Sequence, residues 1–133
     1  MIPYIDMHCD TLMRAWMRRR NDLLVQKGMV DLVRLKDGGC KAQFFAVFLP
    51  PVDLVRRLGP LFPSDEEYIR ACIGIFRHTA RLHPDLFAPA KTFEELEKNA
   101  ATGRIRGFPR WRTGAPWMGE WRISTVFTGW GSA

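Results

Sequence analysis

The chain has 133 residues, the size of one ordinary domain, and 47% of them are hydrophobic, which excludes a disordered polypeptide. Its net charge of +6 raises the question of a nucleic-acid partner, but acids and bases are mixed between the Arg18–Arg20 cluster and a second arginine cluster after Gly103. No apolar run reaches the roughly 18 residues of a membrane span, and the start "MIPYIDMHCD" lacks a basic, then apolar, leader pattern, so a soluble, unexported chain is expected. Cys9, Cys40 and Cys72 are odd in number and form no C-x-x-C pair. That fits buried thiols in a reducing cytoplasm better than a disulfide framework.

Residues Tyr4 to Cys9 read as a strand opened by Pro3, and "TLMRAWMRR" follows with helical spacing of Leu12 and Trp16. "VDLVRLKDGG" is a short amphipathic stretch ending at Gly38–Gly39. Phe44 to Leu49 is almost continuously apolar before Pro50 and Pro51, the pattern of a strand buried on both faces. A Pro- and Gly-rich loop around "RLGPLFPS" leads to Ser64, which stands at capping-box spacing from Glu67 and opens a helix running to about Leu82. Thr92 and Glu95 repeat the spacing, with Gly103 as the natural stop of a further helix. Strands alternating with helices predict an α/β unit with a parallel sheet. So few elements make a poor closed fold, so the unit looks like the opening part of something larger.

On a strand, side chains alternate faces, so His8 and Asp10 project the same way at the strand's C-terminal end. An imidazole and a carboxylate on one face are two ligands of the kind zinc takes. Strand C-terminal ends are also where barrels of alternating strands and helices place their chemistry. By itself H-x-D is equally a hydrogen-bonded histidine at a strand end. His78 and His83, on or after a helix and facing different ways, read as surface or packing residues. Cys9 alternates away from the pair.

"YIDMHCDTL" followed by "DLVRLKDGGCKAQFFAVFLP" resembles the N-terminal part of the membrane dipeptidase (renal dipeptidase) family of zinc metallopeptidases, over roughly residues 2–103. The resemblance implies a (β/α)8 TIM barrel of the amidohydrolase kind, much longer than this chain, and hydrolysis of dipeptides at a two-zinc site. His8 and Asp10 match the N-terminal ligands of one zinc. A bridging carboxylate on a later strand, in a "VEDG"-like segment, and two later histidines would complete the site. Asp6 matches the acid before the ligands and either orients the site or serves as a buried acceptor. Gln43, in the "QFF" segment, is expected to support the site without taking part in catalysis. The resemblance points to an unanchored bacterial branch and leaves the oligomeric state open.

Beyond Gly103 the chain reads "RIRGFPRWRTGAPWMGEWRISTVFTGWGSA", with four tryptophans, five arginines and Glu120 as the only acid. An arginine–aromatic tail of this kind could stack on single-stranded nucleic acid, the main alternative function. It could also be a lid or partner-binding tail. A third reading is a change of reading frame, which the genetic code tests. Codons built from the last base of one residue and the first two of the next can turn "RWRTG" into V-E-D-G and "PWMG" into V-D-G. With suitable synonymous choices, "EWRISTVFTGWGS" becomes V-E-N-L-D-R-L-Y-G-M-G-I, a string with the charge balance the actual tail lacks. The expectation is therefore a frame change within residues 104–133. The later ligands are then absent, zinc would bind weakly at best, and the fragment would be inactive with an open sheet edge.

Overall fold

The computed structural model describes residues 2–49, 51–58, 63–90, 92, 94, 95 and 102–112. The elements, in order, are β1 (Tyr4–Cys9), α1 (Thr11–Met17), α2 (Leu32–Asp37), β2 (Cys40–Phe48), α3 (Val52–Leu58), α4 (Asp65–Leu82), β3 (Phe87–Pro89) and β4 (Ile105–Arg112). The strands form one sheet in the order β1-β2-β4-β3, and every neighbouring pair is parallel. Parallel pairing puts all strand C-terminal ends on one edge, and each crossover is long enough to carry helix.

Local chemistry sets the element ends. The Asp31 carboxylate accepts the Arg34 N–H at 2.8 Å and caps α2. Gly39, at φ 77°, turns the chain out of α2 into β2, a backbone region that a side chain disfavours. Ser64 and Glu67 close the expected capping box, Ser64 Oγ accepting from Glu67 N and a Glu67 carboxylate oxygen from Ser64 N. Thr92 Oγ1 accepts from Glu95 N at 3.2 Å, so that cap forms too, while most of the helix expected after it lies outside the described residues.

The core lies between α4 and one face of the sheet. Tyr68, Cys72, Ile75, Phe76 and Thr79 make the buried stripe of α4. Phe45, Phe76 and Phe87 meet edge-on, with ring centroids 5.2–5.7 Å apart. Gly107 lets these rings reach the backbone of β4: a Cβ there would lie 2.2 Å from Phe87 Cζ. Trp16 packs on Tyr68 at 4.9 Å and joins α1 to the same layer. On the opposite face Phe44 stacks on Phe108 at 4.7 Å. In a closed barrel that opposite face would be the interior.

Three elements differ from the sequence reading. Val52–Leu58 is a helix next to the Pro- and Gly-rich segment that reads as loop, and Phe87–Pro89 is a short strand where only a helix end was expected. The stretch Ile105–Arg112, which shows no clear period, pairs along β2 from Ala42↔Arg106 to Phe48↔Arg112. Its neighbours, not its own pattern, hold it extended. Among the described residues, no helix is long and apolar enough to cross a membrane.

Candidate metal centre

Cys9 ends β1 in the helix-side core, so alternation turns His8 to the other face of the sheet. Asp10 follows at once as the residue before α1, and its side chain makes no capping bond. It is turned instead to His8, with Nε2 and Oδ1 3.3 Å apart. Both side chains are about half exposed, at 49% and 43%, and both line a cavity of about 170 Å³ at the C-terminal edge of the sheet. Two donors of the right chemistry thus converge on solvent, as an incoming metal ion needs. Among the described residues no group of three or more His, Cys, Asp or Glu side chains could hold a metal. The donor set present therefore fits half of a zinc site.

The supporting residues lie beneath the pair. The Asp6 carboxylate accepts the His8 backbone N–H at 3.1 Å, which ties it to the end of β1 that carries His8. Gln43 is fully buried and donates from Nε2 to the Phe44 carbonyl at 3.1 Å and the Asp6 carbonyl at 3.5 Å, bridging β2 to β1. Its Oε1 has no partner among the described residues. Burial pushes the Cys9 thiol up to about 11, so it stays protonated at neutral pH and is no thiolate ligand. Cys40 and Cys72 are buried free thiols as well.

The far wall of the cavity was not read from the sequence. It is built by Gln26, Gly28, Met29 and Val30, and the near wall includes Arg14 and Arg18 of α1 and the residue after it. The loop is tied down at several points. Arg18 donates to the Lys27 carbonyl and Arg34 to the Gly28 carbonyl. The buried Asp31 carboxylate accepts from Gln26 N at 3.2 Å and pairs with Arg34. At its start, Asp22 meets His83 Nε2 at 3.1 Å and Leu23 N–H donates to Thr79 Oγ1, both from the end of α4. His83 thus has a packing role, and neither it nor His78 lines the cavity.

A parallel α/β sheet with helices packed on one face, and metal-type donors at its C-terminal edge, defines the opening portion of a (β/α)8 barrel. The chain belongs to the membrane dipeptidase family, peptidase family M19, whose family model matches residues 1–115. The match runs past Gly103 and includes all of β4. Among solved structures, the dipeptidase AC, a metallopeptidase of family M19, superposes with a TM-score of 0.74 and 24% identity. It covers 96% of this chain and 40% of its own. A metallopeptidase from Rhodobacter sphaeroides, liganded with a phosphinate mimic of the dipeptide L-Ala-D-Ala, gives 0.76 and 23%. There the shares are 98% of this chain and 43% of the neighbour. The chain thus spans about two-fifths of these structures. No curated protein matches it.

Proposed function

We propose that this chain is the N-terminal part of a zinc dipeptidase and that His8 and Asp10 are two of its metal ligands. The approach of His8 Nε2 to Asp10 Oδ1, 3.3 Å at the mouth of the cavity, carries the reading. Zinc, when bound, would polarise a scissile carbonyl and lower the pKa of a water. The chain's own part is to hold the two donors: Asp6 fixes the His8 backbone and Gln43 fixes β1 against β2. The dipeptide mimic held by the Rhodobacter sphaeroides neighbour supports dipeptides as the substrate class. Buried thiols fit a cytoplasmic setting. With two such donors among the described residues, zinc binding is expected to be weak and hydrolysis absent. A zinc titration against a competing chromophoric chelator tests this. One weakly held ion per chain is expected, lost in His8→Ala and in Asp10→Ala, with no amino acid released from L-Ala-D-Ala. Equal zinc binding by the wild type and both variants would sink the assignment.

The tail from residue 104 onward is proposed to be read out of frame, although the family model's match extends to residue 115, and the buried arginine of β4 is the support. Arg106 is 1% exposed, its Nε has no partner among the described residues, and Arg104 adds like charge nearby. In the alternative frame the Ile105–Arg106 junction encodes Ser, Pro or Thr when the arginine codon begins CG. The next junction can still encode Gly, which Phe76 and Phe87 require. The junction of Trp111 and Arg112 can encode Glu, at the end of β4 on the same sheet edge as His8. That is where the resemblance implies a bridging carboxylate. Resequencing the codons from Lys98 to Ala133 decides: a restored base opens the VEDG frame, and an unchanged reading rejects it. The nucleic-acid reading of the tail falls on residues that are mostly outside the described ones. A salt-dependent shift of single-stranded DNA, lost on deleting 104–133, would favour it.

A further inference from the structure

The loop that follows α1 carries a surface that neither the metal ligands nor the core uses. From Arg18 to Met29 every exposed charge is positive: Arg18, Arg19, Arg20 and Lys27. The one acid of that stretch, Asp22, is engaged by His83 at 3.1 Å. Val25 and Met29 stand out of the same loop, 57% and 86% exposed. One exposed apolar side chain is ordinary on a protein surface, but two set among four cations on one short loop make a patch of mixed chemistry.

The patch is built in advance. Arg18 donates to the Lys27 carbonyl, and Arg34 donates to the carbonyls of Gly28 and Gln26, so guanidinium groups from the chain on either side are held at the loop. Asp31, buried beneath, pairs with Arg34. Arg19, Arg20 and Lys27 have no ion pair or side-chain hydrogen bond among the described residues. A loop fixed in this way loses little freedom when it meets a partner.

The charge calls for an anionic partner, and the other side chains decide which kind. No residue from Arg18 to Met29 is aromatic, so the loop offers no ring on which a nucleic-acid base could stack. Cations around short apolar side chains match instead the headgroup region of a bilayer, where phosphates lie above the acyl boundary. Basic residues gain most near an anionic leaflet, which is the one that faces the cytoplasm.

We propose that the loop from Arg18 to Met29 docks this protein on an anionic lipid surface, with Arg19, Arg20 and Lys27 among the headgroup phosphates and Val25 and Met29 pressed below them. The contact is peripheral and needs neither zinc nor a dipeptide, so it stands apart from the dipeptidase reading. Flotation of the full chain with vesicles tests it, because lipid-bound protein rises while self-associated protein does not. Vesicles of phosphatidylcholine mixed with phosphatidylserine are expected to carry the chain upward at low salt and less so as salt is added, and vesicles of phosphatidylcholine alone are not. Arg19→Gln, Arg20→Gln and Lys27→Gln together are expected to weaken binding about a hundredfold, since each cation at such a surface contributes about fivefold. Arg19→Lys with Arg20→Lys keeps it, because a point charge suffices there. Met29→Ser weakens it about tenfold, the share of one partly inserted apolar side chain. A far-UV circular dichroism spectrum matching the parent's accompanies each variant. No flotation with the anionic vesicles, equal flotation with phosphatidylcholine alone, or binding that survives the triple substitution overturns the proposal. So does a Met29→Ser variant that floats like the parent, or single-stranded DNA bound as tightly as the anionic vesicles, since either result makes the loop a general polyanion surface.

Discussion

Asp31 shows how much one buried carboxylate can organise. It caps α2 through Arg34 N, accepts Gln26 N from the cavity loop and pairs with the Arg34 side chain. Asp31→Ala removes the cap and strands a buried N–H, so a loss of about 2–3 kcal/mol is expected in urea melts. Faster amide exchange from Gln26 to Val30 should accompany it, and a loss under 0.5 kcal/mol would show that the loop is held elsewhere, the range of an ordinary surface change. Arg106 is the opposite case, a buried guanidinium whose Nε is left over. Burial and the neighbouring Arg104 both lower its pKa, a sign that the charged form is disfavoured there. Arg106→Leu is therefore expected to raise stability by about 1–2 kcal/mol, because the desolvation penalty of an incompletely paired polar group disappears. A lower melting temperature in this variant would show that the guanidinium is better satisfied than its surroundings suggest. His8 and Asp10 were legible because period-two alternation is a local property of the chain. Arg14 and the Gln26–Val30 wall were not, because the loop has no period and is closed by contacts such as His83 with Asp22, 61 residues apart.

At the scale of elements, α4 is the clearest case of local instruction. Ser64 and Glu67 announce its start, and its buried stripe follows a helical period. The Ser64 hydroxyl and backbone hold the Glu67 carboxyl below its ordinary value of 4.5. A group depressed in the fold contributes stability that is complete above the unfolded value and lost as the pH falls through the folded one. Stability should therefore drop as pH falls below about 4.5, with part of that drop assigned to this cap. Ser64→Ala is expected to cost about 1 kcal/mol at neutral pH and to flatten the acid limb of the melting profile. Parallel profiles for the two proteins would remove Glu67 from the account. β2 was legible for a similar reason, since a continuous apolar run suits a strand covered on both faces. β3 has only three residues, and α3 lies against prolines and glycines, so neither could show a period. β4 was hidden by its own chemistry, with three arginines and a proline where a central strand favours apolar residues.

The whole molecule has a sheet with one edge that its sequence does little to protect. Among the described residues β1 is the end strand, paired with β2 on one side only. Ile2, Tyr4, Ile5 and Met7 are exposed at 87%, 40%, 50% and 55%, on both faces of that edge. Pro3 and Asp6 are the only residues from Ile2 to Met7 of a kind that discourages strand pairing. The solved neighbours continue well beyond the part that this chain matches, so in them the fold has further chain with which to cover such an edge. In this chain as it stands, association is opposed mainly by the net charge of +6. Two consequences follow from weighing those terms. Salt screens the repulsion while leaving apolar contact and backbone pairing intact, so association should grow with ionic strength. A lysine at the edge adds charge and removes apolar surface together, so Ile5→Lys with Met7→Lys should hold the chain monomeric at concentrations where the parent self-associates. Sedimentation velocity over a salt series reads both effects. A far-UV circular dichroism spectrum matching the parent's guards against simple unfolding of the double variant. A variant that keeps the parent's spectrum yet associates as readily would move the sticky surface away from β1, leaving the opposite sheet face around Phe44 and Phe108 as the next surface to test.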